Sequence, residues 1–449
     1  MTPALPPCEE RAAVIGAGIA GLLAARVLAD HYPQVVILER DRIPETPQPR
    51  TGVPQGHHVH ALFGRGILAM EELLPGFGDA LCARGGQRID AGKDLVIATR
   101  HGHGRRFASD LQALGASRPL IEEVIREHVL ALPSVHLLQR HRIDTLTGTS
   151  RHVTGVTATE HHTGHAFRLP AQLVVDAAGR GSPLPRWLAE LRCPPVPETT
   201  VNAHVGYATR TYRRARTSHP PPWRACYSPP QGPTLTRGGV LAPLENDRWI
   251  ATLTGIGADR PTSSDTEFLP FARTLATPLI ADVLTDSAPL TPVIRSNSTA
   301  NRRRFLHRAT HLPDNLLVIG DSACAFDPIY AQGITVAALD ATTLRACLTG
   351  PGAPRHSLAG RYHRRLNALH TPPWLLATTA DLRFPDTQGQ LRAHHRILGR
   401  YLDLVLAAGT RDRNAQAAFL NVLTMVRHPA FLLTPRVLLG AVASLRHDD

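Results

Sequence analysis

A chain of 449 residues that is 43% hydrophobic is long enough for a large core and two closely joined units. Its formal charge is +12, nearly all of it arginine because Lys93 is the only lysine, and the basic residues are scattered except for Arg302-Arg303-Arg304. That scatter speaks against a nucleic-acid partner and for a solvated basic face or attraction to an acidic cofactor, while six cysteines without a CxxC pair speak against a zinc site and a dense disulfide framework, hence for a reducing compartment.

The chain opens with an apolar run, Ala12-Ala13-Val14-Ile15, followed by Gly16-Ala17-Gly18-Ile19-Ala20-Gly21 and a second apolar run, residues 35–38, that ends in Glu39. Strand, glycine turn, helix, strand and acid in that order are a dinucleotide-binding pattern. The turn lets backbone N–H groups approach a pyrophosphate, the helix N-terminus adds partial positive charge, and the acid accepts from a ribose. Residues 12–29 contain the turn and Arg26, so they read as strand plus helix and not as a membrane span. With no basic-then-apolar leader order, the expected location is cytoplasmic.

Residues 41–56 form a proline-rich loop, and the segment from Gly56 becomes helical through about Leu74. His57, His58 and His60 raise a metal hypothesis, but no spaced acid or cysteine completes a set, and histidines facing a cleft or capping a helix are the plainer reading. Ser117 is placed to cap a helix whose first turn holds Arg118 and Pro119 and whose inward face presents Leu120 and Val124. Arg118 then stands near the cofactor or on the surface. Strand-like runs follow at 153–158 and 173–175, the latter delivering Asp176 to a glycine turn that includes Gly179-Arg180-Gly181-Ser182.

From about residue 201 to 299 the texture changes to strands at 205–211, 239–241 and 249–253, with a helical stretch at 266–286. An insertion of this kind covers a cofactor domain and is the segment expected to select substrate. A buried strand returns at residues 315–319 and ends in Gly320-Asp321, where the acid can bind a ribose or ribityl hydroxyl. A helix over 334–348 then points its N-terminus, near Gly333, at developing negative charge on a cofactor. Cys324 follows a buried strand without a base partner and reads as a packing residue. Beyond Gly352 the sequence is mainly helical, with breaks expected near Pro372, Pro385, Pro429 and Pro435. The apolar stretches there are too interrupted to span a membrane; they pack on the flavin domain, contact a membrane shallowly or line an entrance for a greasy substrate.

With Asp176 and Gly320-Asp321 added to the N-terminal pattern, the chain resembles the FAD-dependent aromatic hydroxylase superfamily, and most of all the actinomycete flavin epoxidases of polyether biosynthesis. Residues 54–60, 117–120, 176–187 and 320–333 carry the resemblance, which extends over nearly the whole chain. It implies an α/β fold: a Rossmann-like FAD-binding domain in two parts, residues 1–200 and 300–350, an inserted mainly β substrate domain at 201–299, and C-terminal helices at 351–449. By position it implies that Gly16, Gly18, Gly21 and Glu39 hold the ADP half of FAD. Arg118 lies beside the cofactor, Asp321 meets its sugar-like chain, and Pro328, Gln332 and Gly333 lie near the isoalloxazine.

Asp176 matches a motif linked to FAD and nicotinamide nucleotide, but Ala177 stands where the hydroxylases commonly have glycine, so direct use of NADPH or NADH is open and a separate flavin reductase is the alternative. The implied activity is that of a monooxygenase using O₂. It epoxidises an alkene in a hydrophobic secondary metabolite, as in antibiotic biosynthesis, through a C4a-hydroperoxyflavin. Aromatic hydroxylation, alkene reduction and an idle FAD-binding protein are the alternatives. Halogenation is less attractive, because Trp187, Trp223, Trp249 and Trp374 are widely separated and Lys93 matches no halogenase lysine region. No side chain is nominated as an obligatory proton donor, no metal is expected, and no integral membrane association is expected.

Overall fold

A computed structural model describes residues 8, 10–215, 218, 220–297, 299–349 and 358–444; the expected boundary at 350 and 351 lies outside them. Its centre is a five-stranded parallel sheet in the order Leu316–Val318, Leu173–Asp176, Arg11–Ile15, Gln34–Glu39 and Val135–Gln139. Strands buried on both faces need apolar side chains, which is why four of the five read as aliphatic runs, while the part-exposed edge strand Val135–Gln139 does not. Alternation along each strand sorts those side chains into two cores. Ala12, Val14, Val35, Ile37, Val175 and Leu317 face the helices Ile19–Leu28, Arg118–Leu130 and Gly333–Leu348. Ala13, Ile15, Val36, Leu38, Val174 and Val318 face the opposite way, toward Ile143, Val156, Leu184 and Trp187. Those residues belong to a three-stranded antiparallel sheet, His141–Gly148, Val153–Glu160 and Ala166–Pro170, and to the helix Leu184–Glu190.

The arrangement is Rossmann-like, with an inserted β-rich unit and helices at the C-terminal end. The inserted sheet runs Ala288–Pro289, Val205–Arg213, Arg248–Ile256, Arg237–Leu244, Ala225–Ser228, Leu95–Thr99 and Gly102–His103, with Ile294–Ser296 paired separately to Val205–Arg213. Leu95–Thr99, which the sequence reading left unassigned, pairs in parallel with Ala225–Ser228. Its partner is far along the chain, so no local pattern announces it.

Three segments differ from expectation. Residues 54–63 form a 3₁₀ turn, Pro54–His57, and a short strand, Ala61–Phe63, before the helix Gly64–Leu73. The intervening backbone is extended because Val59 N–H and the His58 ring reach across to Thr252 and Thr209 of the inserted sheet, at 3.2 and 2.7 Å. The stretch 266–286 is two short helices, Phe268–Ala272 and Leu279–Thr285, with Pro278 capping the second. The expected break at Pro372 is absent: the helix Leu358–Asp381 runs through Pro372 and Pro373. Burial of Tyr362, Leu366, His370 and Pro373 on one side outweighs the two lost backbone hydrogen bonds. Further helices are Ala393–Gly409, Arg413–Leu423 and Pro435–Ser444. Among the described residues no helix is long and apolar enough to cross a membrane.

Candidate functional site

The carboxyl ends of the parallel strands open into a cavity of about 660 Å³, which extends to the face of the inserted sheet. Placing a ligand crevice there follows from the strand order, which diverges on either side of Arg11–Ile15. Seven of the ten sequence-nominated residues line it: Gly16, Gly18, Glu39, Arg118, Asp321, Pro328 and Gly333. Gly21, Asp176 and Gln332 do not line it.

At the nucleotide end the chain turns sharply. Gly16 has φ +100°, where L side chains are strained, and a Cβ there would stand 2.7 Å from the Ala177 carbonyl oxygen. Gly21 supports the same turn from inside the helix, since its Cβ would lie 1.9 Å from Gly16 O. Gly18 differs: a Cβ there meets nothing within 4 Å, and no side chain caps the helix it begins. The helix N-terminus therefore opens onto the crevice with room for an anion.

Glu39 sits at the end of its strand, 4% exposed, accepting from Ala17 N–H at 2.8 Å and Asp41 N–H at 2.9 Å and pairing with Arg50 at 3.0 Å. A carboxylate has about four acceptor positions, so these partners leave about one for a ribose hydroxyl. Arg50 comes from the loop read only as proline-rich. It also reaches Asp41 at 3.3 Å and Glu122 at 3.6 Å, and Arg118 is bonded to Glu122 at 2.7 Å. Burial works against the Arg50 charge, but Glu39, Glu122 and Asp41 together raise its pKa above the usual arginine range. The nucleotide end is thus framed by two arginines held on a shared carboxylate.

The histidine cluster faces this cavity. His60 Nδ1 lies 3.0 Å from His58 O and its Nε2 lies 3.4 Å from Arg118 Nη1. Those partners fix a neutral tautomer, with Nδ1–H donating to the carbonyl and Nε2 accepting from the arginine. Burial and then Arg118 push its pKa down to about 3; burial and then His57 push His58 to about 4. Among the described residues no three His, Cys, Asp or Glu side chains are gathered to hold a metal.

Asp176 stands behind the turn, fully buried. It accepts from Ala178 N–H at 3.0 Å, from Ser182 Oγ at 2.5 Å and from Ser322 Oγ at 3.1 Å. Burial raises its pKa despite those donors. It ties two strand-end turns together. Asp321 is 32% exposed at its side chain and lies 3.8 Å from Arg180 Nε. Its turn is braced from below: Gly320 N–H donates to Asp340 Oδ2 at 3.0 Å, and His370 Nε2 meets Asp340 Oδ1 at 2.7 Å. Gln332, buried beside Ala331 and Gly333, has an amide oxygen without a partner, as has the Thr335 hydroxyl one turn on. The open helix starts at Gly18 and Gly333 and the part-satisfied Glu39, all on the cavity wall, fit an elongated, phosphate-bearing, polar-edged cofactor. Cys324 is 1% exposed and burial holds its thiol well above the usual range, as suits packing.

Sequence reasoning missed a buried acid pair on the substrate side. Asp327 and Asp381 are 1% and 2% exposed. Asp327 Oδ1 accepts from Ile329 N–H at 3.1 Å and from the Tyr207 hydroxyl. Asp381 accepts from the Tyr330 hydroxyl at 2.6 Å and from Asn301 Nδ2 at 2.5 Å, while Asn301 Oδ1 accepts from Asp327 N–H at 2.8 Å. Neither acid is hydrogen-bonded or ion-paired to a cation among the described residues. Burial pushes Asp327 up to about 6; burial and the neighbouring Asp327 push Asp381 well up. Tyr207, Tyr227, Asp327 and Tyr330 all line the cavity, where Phe63, Leu95, Val240, Ala242, Ile329 and Leu423 supply apolar wall. Only Asp327, which follows the Gly320-Asp321 turn, lay near a sequence motif.

The chain belongs to a family described as FAD binding domain, whose model matches residues 9–365. Protein Rv3254 of Mycobacterium tuberculosis (strain ATCC 25618 / H37Rv) is 29% identical over 426 residues, covering 90% of this chain and 87% of that one. Among solved structures, the flavin-dependent brominase Bmp2 superposes with a TM-score of 0.69 at 13% identity, over 92% of each chain. A tetrameric form of 2-methyl-3-hydroxypyridine-5-carboxylic acid oxygenase gives 0.63 at 18% identity, over 82% of this chain and 90% of that one. PqsL of P. aeruginosa, in complex with 2-aminobenzoylacetate, gives 0.58 at 19% identity, over 83% of this chain and 97% of that one. These structural likenesses concern the fold. The family makes this chain an FAD-binding protein.

Proposed function

Starting from membership of that FAD-binding family, we propose that the chain is a monooxygenase that hydroxylates an apolar aromatic compound. The observation that carries this reading is the continuity of the nucleotide crevice with an apolar chamber under the inserted sheet, edged by tyrosine hydroxyls and a buried acid pair. Two of the similar structures are of proteins associated with ring compounds, 2-aminobenzoylacetate and 2-methyl-3-hydroxypyridine-5-carboxylic acid. That association favours aromatic hydroxylation over the alkene epoxidation suggested by the sequence resemblance.

FAD, when bound, supplies the redox chemistry that activates O₂, with NADPH or NADH as direct reductant or through a separate reductase. The chain's residues bind and orient. The Gly16–Gly18 turn and the helix Ile19–Leu28 take the pyrophosphate, Glu39 the ribose, and Asp321 the flavin's sugar-like chain. Pro328 and the N-terminus of the helix Gly333–Leu348 would border the ring system, where helix N–H groups favour negative charge, with Gln332 behind them. Arg118 and Arg50 hold Glu39 and Glu122 in place. Asp176 acts through the turns it ties and not by touching the cofactor. The inserted sheet and Leu423 exclude water from the substrate, and the Tyr207 hydroxyl on Asp327 is an exchangeable proton on the chamber wall.

The test is reconstitution with FAD and anaerobic titration with NADPH and NADH. An ¹⁸O₂ turnover assay then follows on phenols, aminobenzoyl compounds and terminal or internal alkenes, with and without bromide. Flavin bleaching and ring-incorporated ¹⁸O are expected. Label entering only alkenes returns the reading to epoxidation, bromide-dependent product moves it to halogenation, and failure to bind FAD removes the cofactor assignment.

A further inference from the structure

The C-terminal helices carry large apolar side chains on their outer surface. Leu439 is 72% exposed, Ile397 70% and Leu433 58%, with Phe431, Leu438 and Val442 also exposed. Spacing makes them one surface. In Pro435–Ser444, Val437, Ala441 and Ser444 turn inward while Leu438, Leu439 and Val442 fall on the opposite side of the same helix. The Tyr401 hydroxyl is bonded to the Leu432 carbonyl, and Ser444 Oγ reaches the Leu404 carbonyl at 3.4 Å, which seats Ala393–Gly409 beside this segment. Ile397 lies one turn before Tyr401 on that stripe and so extends the patch. A surface helix normally shows its polar face to water; this one shows leucines.

Positive charge predominates along this part of the chain. Residues 391–444 contain seven arginines and two acids. Both acids are engaged: Asp403 is bonded to Arg383 at 2.8 Å, and Asp412 caps Arg413–Leu423 through Asn414 N–H and Ala415 N–H. Arg396, Arg400, Arg427 and Arg436 are exposed, and none has an ion-pair partner among the described residues. Arg427 lies over the Phe431 ring at 5.6 Å, and Arg436 is one helical turn from Leu439.

We propose that this face docks peripherally on an anionic lipid bilayer. Aliphatic side chains enter the headgroup boundary while the surrounding arginines meet lipid phosphates, the combination that interfacial helices use. A second copy of the chain fits poorly, because self-association would bring four unpaired cations against four more. Nucleic acid fits poorly too, because the centre of the patch is aliphatic. The docking face is also joined to the chamber: Leu423, at the end of Arg413–Leu423, is cavity wall, and the next element begins the patch. The inference stands whether or not the hydroxylase reading does.

The test is flotation of the full-length protein with phosphatidylcholine vesicles, with and without phosphatidylglycerol. The same is done for Leu439→Asp and Arg436→Glu, both at exposed positions where melting temperature should be unchanged. Binding to phosphatidylglycerol vesicles at least about tenfold tighter than to neutral ones, weakened by salt and lost in Leu439→Asp, is expected. Absence of binding overturns the proposal. So does binding that Leu439→Asp leaves intact, which would mean diffuse attraction to a basic protein. A light-scattering dimer dissociated by Leu439→Asp overturns it in favour of a contact between copies.

Discussion

Asp327→Asn isolates the cost of a buried charge. Both donors to Asp327, the Tyr207 hydroxyl and Ile329 N–H, meet Oδ1, so an amide oxygen in that place keeps them and the amide NH₂ occupies the Oδ2 position. Burial raises the carboxyl from 3.8 to about 6, with the Tyr207 and Ile329 hydrogen bonds and Arg180 only partly opposing it. The folded protein therefore holds this proton more tightly than the unfolded chain. The stability that the proton confers is complete below the unfolded value near 3.8 and is lost as pH rises through about 6. A shift of about two units corresponds to about 3 kcal/mol. The residue is 1% exposed, so solvent screening does not shrink that figure. Urea denaturation of the protein and of Asp327→Asn at several values between pH 4 and pH 8 reads it directly. The variant should match the parent at the acid end and exceed it by about 3 kcal/mol at pH 8. Parallel stability curves would refute the reasoning. Asp381→Asn is the contrasting case: both of its oxygens accept hydrogen bonds, so an amide turns a donor toward Tyr330 or Asn301 and destabilises.

Gly18→Ala should leave the melting temperature of the FAD-free protein within about 2 °C while weakening FAD binding at least about tenfold, since its Cβ points into open crevice. Gly21→Ala should lose folding and cofactor together because of the Gly16 carbonyl, and thermal melts beside flavin fluorescence titrations separate the two. Arg50→Ala removes the arginine paired with buried Glu39, while Glu122 keeps Arg118, and should cost about 3 kcal/mol in chemical denaturation, with FAD affinity falling as well. Asp176→Ala leaves two hydroxyls and an N–H unmet, a loss of about 1–3 kcal/mol. The melting temperature should fall without a selective rise in KM for NADPH, and a stable variant with only a nicotinamide defect would contradict the bracing role.

The crevice at the first glycine turn was legible because its determinants are local. Gly16, Gly18, Gly21 and Glu39 occur within one strand-helix-strand unit, and four of the five parallel strands announce their ends by an acid or glycine after an aliphatic run, Val135–Gln139 being the exception. Ser117 was equally readable as a cap, and it accepts from Leu120 N–H at 3.3 Å. What stayed hidden is whatever depends on distant segments meeting. Arg50 lies in an irregular loop and matters only because Glu39 and Glu122 converge on it. Asp381, at the end of a long helix, meets Asp327 through Asn301, and no spacing rule links the three. The Pro372 break failed for a related reason: local backbone preference was outweighed by packing against residues elsewhere in the chain.

The strand Leu95–Thr99 makes the inserted sheet a shared possession of two stretches of chain. A fragment cut at residues 201 and 299 would carry Ala225–Ser228 with its outer backbone groups unpaired, an invitation to intermolecular strand addition. Ribosomal synthesis meets the same situation in reverse, because residues 95–99 emerge first and wait for their neighbour. That edge therefore closes late, and grafting the insertion onto another flavoprotein would need residues 95–103 to travel with it.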